Sequence, residues 1–271
     1  MKSLAYLTAC IAVASATATA TAADSVTIYA AGSLRGVVTE LANEAGPALG
    51  IEIKPSFGGS GSMRERIEKG EPADLLMSAD VGSPRKLAAE GHTVVPAIAF
   101  ARNRICIVSR PAARITPKNL VNRLLARDVK LKTSQPVLDP GGDYAWSIID
   151  HIDAAHPGAG AVLKAKAQAS WDLKATPAPG QSATAALFSS GQIDVLMTYC
   201  SGVPSLLKDV PELKSFEVPP RFDPHPLYGV AVVSSNPAAQ RLALYLLSDK
   251  GQAIIEREGL VPLTGPAPTA P

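Results

Sequence analysis

Aromatic residues are scarce. Phe, Trp and Tyr together make up 5% of the 271 residues, so the core must be built from Ala, Val, Leu and Ile. Four histidines (His92, His151, His156, His225) and three cysteines are scattered in no spacing that suits zinc or an iron–sulfur cluster. Lys and Arg number 26 against 24 Asp and Glu, a formal charge of +2, and no block of like charge runs along the chain. A polyanion-binding surface therefore gets no support, and nucleic acid is not an expected partner. No apolar run approaches the roughly 20 residues needed to span a bilayer. Catalytic signatures are missing as well. Gly58-Gly59-Ser60-Gly61-Ser62 approaches a nucleophile elbow, but its fifth residue is Ser62 where the turn requires glycine. Neither a phosphate loop nor a G-x-G-x-x-G follows the first strand. A Ser-His-Asp set assembled from distant positions is not excluded by inspection, but no local signature asks for one, and the chain reads as a protein other than an enzyme.

What is present suits a soluble globular protein, with 46% hydrophobic and 18% charged residues. The length allows one large domain or two of ordinary size. Lys2, the apolar run Leu4 to Ala14 and the small residues ending Ala20-Thr21-Ala22 form the three regions of a secretory signal peptide, residues 1–23. Leu7-Thr8-Ala9-Cys10 resembles a lipobox, but the apolar segment before Cys10 is short, so cleavage near Ala22 or Ala23 and release into the periplasm is the expectation. Cleavage removes Cys10 and leaves Cys106 and Cys200. In an oxidising compartment an even pair reads as one disulfide, set against the alternative of two thiols that only fill core space.

The mature chain alternates strand and helix signals. Val26–Ala30 is a β-branched strand. Leu34 to Leu49 follows with apolar residues at helical spacing and Ser33 placed as its N-cap. Ile51–Pro55 is a second strand, Met63–Lys69 a second helix, Leu75–Ser78 a third strand and Pro84–Glu90 a third helix. This repetition predicts α/β lobes with mostly parallel sheets flanked by helices. A second set starts at Arg104–Ser109 and includes strand-like Val129–Thr133, helix Tyr144–Ala155, helix Ser182–Ser189 and the apolar strand Ile193–Tyr199. Gly229–Val233 then reads as a strand, and Pro237–Leu247 and Gly251–Glu258 as helices. The expected division is 24–102 plus 228–264 for the first lobe and 103–227 for the second, with a Pro/Ala-rich disordered tail at 265–271.

Ser33, Ser60 and Ser62 stand where successive strands pass into helices. A helix N-terminus offers unpaired N–H groups and partial positive charge, an anion site that needs no cation. Each serine taken alone is more readily a simple cap, but junctions after successive parallel strands open at one sheet edge, where α/β proteins bind ligands.

At these residues the chain resembles periplasmic molybdate-binding proteins. The resemblance is carried by Ala30-Ala31-Gly32-Ser33-Leu34, by Phe57-Gly58-Gly59-Ser60-Gly61-Ser62, and most specifically by Gly70-Glu71-Pro72-Ala73-Asp74-Leu75-Leu76-Met77-Ser78-Ala79-Asp80. It runs from Val26 to about Pro262. It implies the type II periplasmic binding protein fold, with two α/β lobes, a crossover hinge and a ligand in the interlobe cleft. It also implies capture of molybdate or tungstate as a small oxyanion ligand, with no cofactor, by a monomer that delivers it to an inner-membrane ABC permease. The ligand set carried over is the hydroxyls of Ser33 and Ser60, backbone at Ala145 and Gln181, and the hydroxyl of Tyr199. Gln181 replaces an apolar residue of the family, and Arg35 and the Cys106/Cys200 pair are further departures.

Such a donor set suits fully ionised dianions, which accept hydrogen bonds and offer none. Phosphate keeps a proton and needs an acceptor in the cleft. The alternative reading is a receptor for another anion, sulfate-like or a small organic acid, acting in sensing. Trp146 and Trp171 are expected to be packing residues. Asp139 is expected to order the turn before Pro140, Asp80 to fix the loop after the third strand, and Arg35 to be either solvated or a gate beside Ser33.

Overall fold

The computed structural model describes residues 24–263. The segment expected to be a signal peptide, with Cys10, and the segment expected to be a disordered tail lie outside the described residues. Among the described residues ten strands form two sheets. The first contains β1 (Asp24–Ala31), β2 (Ile51–Gly58), β3 (Leu75–Ser78), β4 (Ile98–Arg102), β9 (Leu227–Val232) and β10 (Val261–Pro262), in the order β10-β4-β9-β3-β1-β2. The second contains β5 (Ile105–Ser109), β6 (Leu131–Lys132), β7 (Val195–Tyr199) and β8 (Lys214–Glu217), in the order β6-β7-β5-β8. The chain thus leaves the first sheet between Arg102 and Ile105 and returns to it between Glu217 and Leu227.

The sheets are mixed, where the sequence pattern predicts mostly parallel pairing. β1 pairs in parallel with β2 and β3, and β6 with β7. β9 lies antiparallel between β3 and β4, and β5 lies antiparallel between β7 and β8. β10 is antiparallel to β4 at the sheet edge, and the two reversed strands inside the sheets, β5 and β9, are the ones that follow the crossovers. A chain arriving from the other lobe enters its sheet at the cleft edge, so β5 and β9 run away from the cleft while the strands on either side of them run toward it.

The most specific motif of the sequence turns out to be scaffolding. Asp74 Oδ2 accepts the Thr27 N–H at 2.7 Å, and Oδ1 accepts from Ser234 Oγ and Asn236 Nδ2, so one carboxylate joins β1 to the segment after β9. Asp80 accepts from Ser83 N and from the hydroxyls of Ser78 and Ser83, and it thereby fixes the start of the helix Gly82–Ala89 as expected. The segment 32–49 is helical throughout but not uniform. It opens as a 3-10 turn, continues as the α-helix Arg35–Glu40, and widens to a π-helix at Leu41–Ala45 just before Pro47, which has no N–H to offer the preceding turn.

The expected disulfide is present: Cys106 and Cys200 are bonded, with Cα atoms 4.9 Å apart. Trp146 and Trp171 stack on each other at 5.6 Å between ring centroids and pack in lobe 2. The helix Ala159–Gln168 and the short strands β4 and β8 escaped the sequence pattern. The helix is rich in Ala and its faces differ little in polarity, while the strands are too short to show alternation.

Candidate functional site

The two lobes face each other across a cavity of about 300 Å³ lined by Ala31, Gly32, Ser33, Gly58 and Gly59 from one side and Ser134, Asp139, Gly141, Met197, Thr198, Tyr199 and Gly202 from the other. The geometry follows from strand direction. β1, β2 and β7 all end at the cleft, and each passes directly into a turn or helix, so chain reversals and helix N-termini converge on one space. Of the side chains lining it, Asp139 carries a charge. Its Oδ1 caps the helix Pro140–Ala155 by accepting the Gly141 N–H at 2.9 Å, so the turn-ordering role expected from sequence holds. The carboxylate nevertheless lines the cavity, and the expectation of a cleft with donors alone is corrected to donors plus one partly occupied acceptor.

Ser33 lines the cavity, half-buried, with its Oγ 2.9 Å from the Tyr228 hydroxyl. It makes no side-chain cap bond, so the N-cap role expected of it is replaced by this tyrosine contact. Tyr199 lines the opposite wall. Its buried hydroxyl makes no hydrogen bond among the described residues, and its ring meets Tyr144 and Tyr228 edge-on at 6.2 and 5.6 Å. Burial pushes the Tyr199 phenol well above its ordinary range. Burial also raises Tyr228, against the lowering effect of its bonds to Ser33 and Asn103, and lifts Tyr144 to about 12. All three therefore stay protonated and able to donate across the neutral range.

The other sequence-derived site residues are not brought to the cavity wall. Ser60 is fully buried, and its Oγ accepts the Ala79 N–H at 3.0 Å. It sits behind the wall, and Gly58 and Gly59 line in its place. Ala145 lies in the second turn of the helix Pro140–Ala155, 1% exposed. The helix starts at Pro140 rather than Tyr144, so the N–H of Ala145 belongs to the helical ladder and Gly141 occupies the mouth. Gln181 stands on a separate surface hollow with Lys174, Ala175 and Thr176. Its side chain bonds Ser189 and the Ala178 N–H. Arg35 is exposed, stacked 4.1 Å over the Phe57 ring, outside the cavity lining.

Two glycines of the Ser60 loop make room for the opposing lobe. A Cβ on Gly59 would fall 2.1 Å from the Leu138 carbonyl oxygen, and one on Gly61 would fall 1.9 Å from that of Val137. The opposing lobe's backbone, with Val137 at φ 71°, is what comes close. Sequence reading missed Asn103, Ser134, Thr198 and Tyr228.

A two-lobed α/β fold with reversed crossover strands and a polar interlobe cavity defines a solute-binding receptor. The chain belongs to the family described as bacterial extracellular solute-binding protein, whose model matches residues 26–261. It is 30% identical over 240 residues to an uncharacterised protein of Pasteurella multocida, covering 87% of this chain and 98% of that one. It is 36% identical to the molybdate-binding protein of Escherichia coli over 55 residues, 20% of this chain and 21% of that protein. Among solved structures, the Azotobacter vinelandii periplasmic molybdate-binding protein superposes with a TM-score of 0.69 at 19% identity, covering 88% of this chain and all of that one (100%). The sulfate-binding protein of Mycobacterium tuberculosis gives 0.66 at 20% identity, covering 89% and 87%. The likeness to these two structures is one of fold.

Proposed function

We propose that this protein captures molybdate, and with it tungstate, in the periplasm and delivers it to an inner-membrane ABC permease. The observation that carries the reading is the Tyr199 hydroxyl, a protonated donor buried on the cavity wall without a partner. An unsatisfied buried hydroxyl costs about 1–3 kcal/mol, and an oxyanion accepting from it removes that cost and adds a charge-assisted bond. Ser33 faces it from the other lobe, and the hydroxyls of Ser134 and Thr198 belong to the same wall. Lys and Arg are absent from the lining. Asp139 is the charged side chain of the lining, with Oδ1 occupied by the Gly141 N–H; the other polar side chains there are neutral donors, and the local identity to the Escherichia coli molybdate-binding protein supports the choice of oxyanion.

A dianion touching Tyr199 and Ser33 bridges the lobes, so its affinity for the closed form exceeds that for the open one and drives closure. Sulfate shares the acceptor-only chemistry and differs in size, which makes a sulfate-like receptor the competing reading. Calorimetric titration of the mature chain with molybdate, tungstate, sulfate and phosphate separates them. Saturable binding of the first two, with sulfate and phosphate weaker, is expected. Preference for sulfate or phosphate would overturn the assignment.

A further inference from the structure

A chain of hydrogen bonds runs from the hinge to the cleft, and its direction can be worked out from one end. The Arg104 backbone N–H, which can only donate, lies 2.8 Å from Asn103 Oδ1. That contact fixes which end of the Asn103 amide is oxygen. Both protons of Nδ2 are then committed at 2.9 Å, one to Ser201 Oγ in the turn after Tyr199 and one to the Tyr228 hydroxyl oxygen. Tyr228 is fully buried, so its own proton needs an acceptor. The Tyr199 hydroxyl is close enough to lower the Tyr228 pKa but makes no hydrogen bond of proper distance and angle, whereas Ser33 Oγ stands in hydrogen-bond geometry 2.9 Å away. Ser33 Oγ therefore accepts, and its own proton is left to donate. Asn103 sits in the first crossover and Tyr228 is the second residue of β9, which follows the second crossover, so this relay links the first connection to the strand entered from the second.

We infer that Asn103 is a specificity-determining positioning residue: acting through Tyr228, it makes Ser33 an obligate hydrogen-bond donor to whatever occupies the cleft. The consequence rests on the oxyanion reading above. At the Ser33 position the site takes an oxygen that carries no proton, so a fully ionised dianion is preferred over one that must place a P–OH there.

The test measures molybdate and phosphate affinities side by side in the wild type, Asn103→Asp and Tyr228→Phe. In Asn103→Asp both carboxylate oxygens accept. Tyr228 turns its proton toward position 103, and Ser33 must donate to Tyr228 instead of the ligand. Molybdate affinity is expected to fall about tenfold or more. Added negative charge weakens both dianions together, so the molybdate-to-phosphate ratio isolates the relay, and it should narrow. Tyr228→Phe removes the proton that Ser33 accepts and leaves the serine hydroxyl free to accept from a ligand. The ratio should narrow here through improved phosphate binding, with a smaller loss of molybdate affinity than in Asn103→Asp. This second variant decides the matter if the first does not fold. An unchanged ratio in the folded variants of a wild type that binds molybdate would overturn the relay and leave the cleft reading standing. A wild type that binds neither anion would overturn both.

Discussion

The two walls of the cleft are built to different rules. On the first lobe the two hydroxyls of the expected ligand set already have partners: Ser33 contacts Tyr228, and Ser60 receives the Ala79 N–H. On the second lobe Tyr199 has none. It stands at the end of β7 with a disulfide directly behind it at Cys200, on a four-stranded sheet rather than a six-stranded one. The first wall is thus preorganised by hydrogen bonds internal to the protein. The second holds its donor in place by packing and a covalent cross-link, and leaves the donor to be satisfied by the ligand. Lobe 2 thus brings a buried donor that has no partner among the described residues before binding, and lobe 1 brings the Ser33 hydroxyl already anchored to Tyr228.

The cross-link gives the largest expected effect. Replacing both Cys106 and Cys200 by Ser opens a loop with a sequence separation of 94, and on a chain-entropy basis about 4–5 kcal/mol of stability is lost. Denaturant melts of the variant should show that loss, and amide exchange should place it in β5 and β7 while β1–β3 keep their protection. Uniform loss across both sheets would break the contrast between the walls.

Closure comes next. Gly61→Ala puts a methyl group 1.9 Å from the Val137 oxygen across the cleft. The lobes must then part, and a steric cost of about 1–3 kcal/mol corresponds to roughly a 5- to 150-fold loss of molybdate affinity. The melting temperature of the unliganded protein should stay nearly constant. A large drop in that temperature with intact affinity would show that the glycine serves packing within lobe 1.

Ser60→Ala sharpens the account from the other side. It strands the buried Ala79 N–H, a stability cost of about 1–3 kcal/mol, while the affinity of the folded protein changes little because the hydroxyl is used inside the wall. Smallest of all is Gln181→Ala, expected to shift stability by no more than about 0.5 kcal/mol and to leave affinity unchanged, since the residue stands on a separate hollow.

The sequence was more legible in the first lobe than in the second, for a physical reason. β1, β2 and β3 are consecutive, each is followed by its helix, and the glycine and serine residues fall at strand-to-helix junctions where few residue types fit. In lobe 2 the strands are short and separated by long connections, so register had to be carried over by counting. Tyr199 falls in the cavity lining because it ends a buried, mostly apolar strand. Ala145 fails because Asp139 and Pro140 start the helix earlier than the apolar periodicity suggests. Gln181 fails because Ser182, rather than a cleft-facing residue, caps the next helix through the Ala185 N–H. The crossover residues Asn103 and Tyr228 were invisible as site residues, since their partners lie 98 and 125 positions from Asn103 and 195 from Ser33.

The most direct test of the account is Tyr199→Phe, followed by two measurements on the same preparation. Removing the unpartnered hydroxyl while keeping the ring should leave the unliganded protein as stable as the wild type, or slightly more so. Molybdate affinity should fall about 10- to 150-fold, the equivalent of one hydrogen bond to a charged acceptor at roughly 1.5–3 kcal/mol. Unchanged molybdate affinity in this variant would contradict the claim that lobe 2 donates to the ligand through Tyr199.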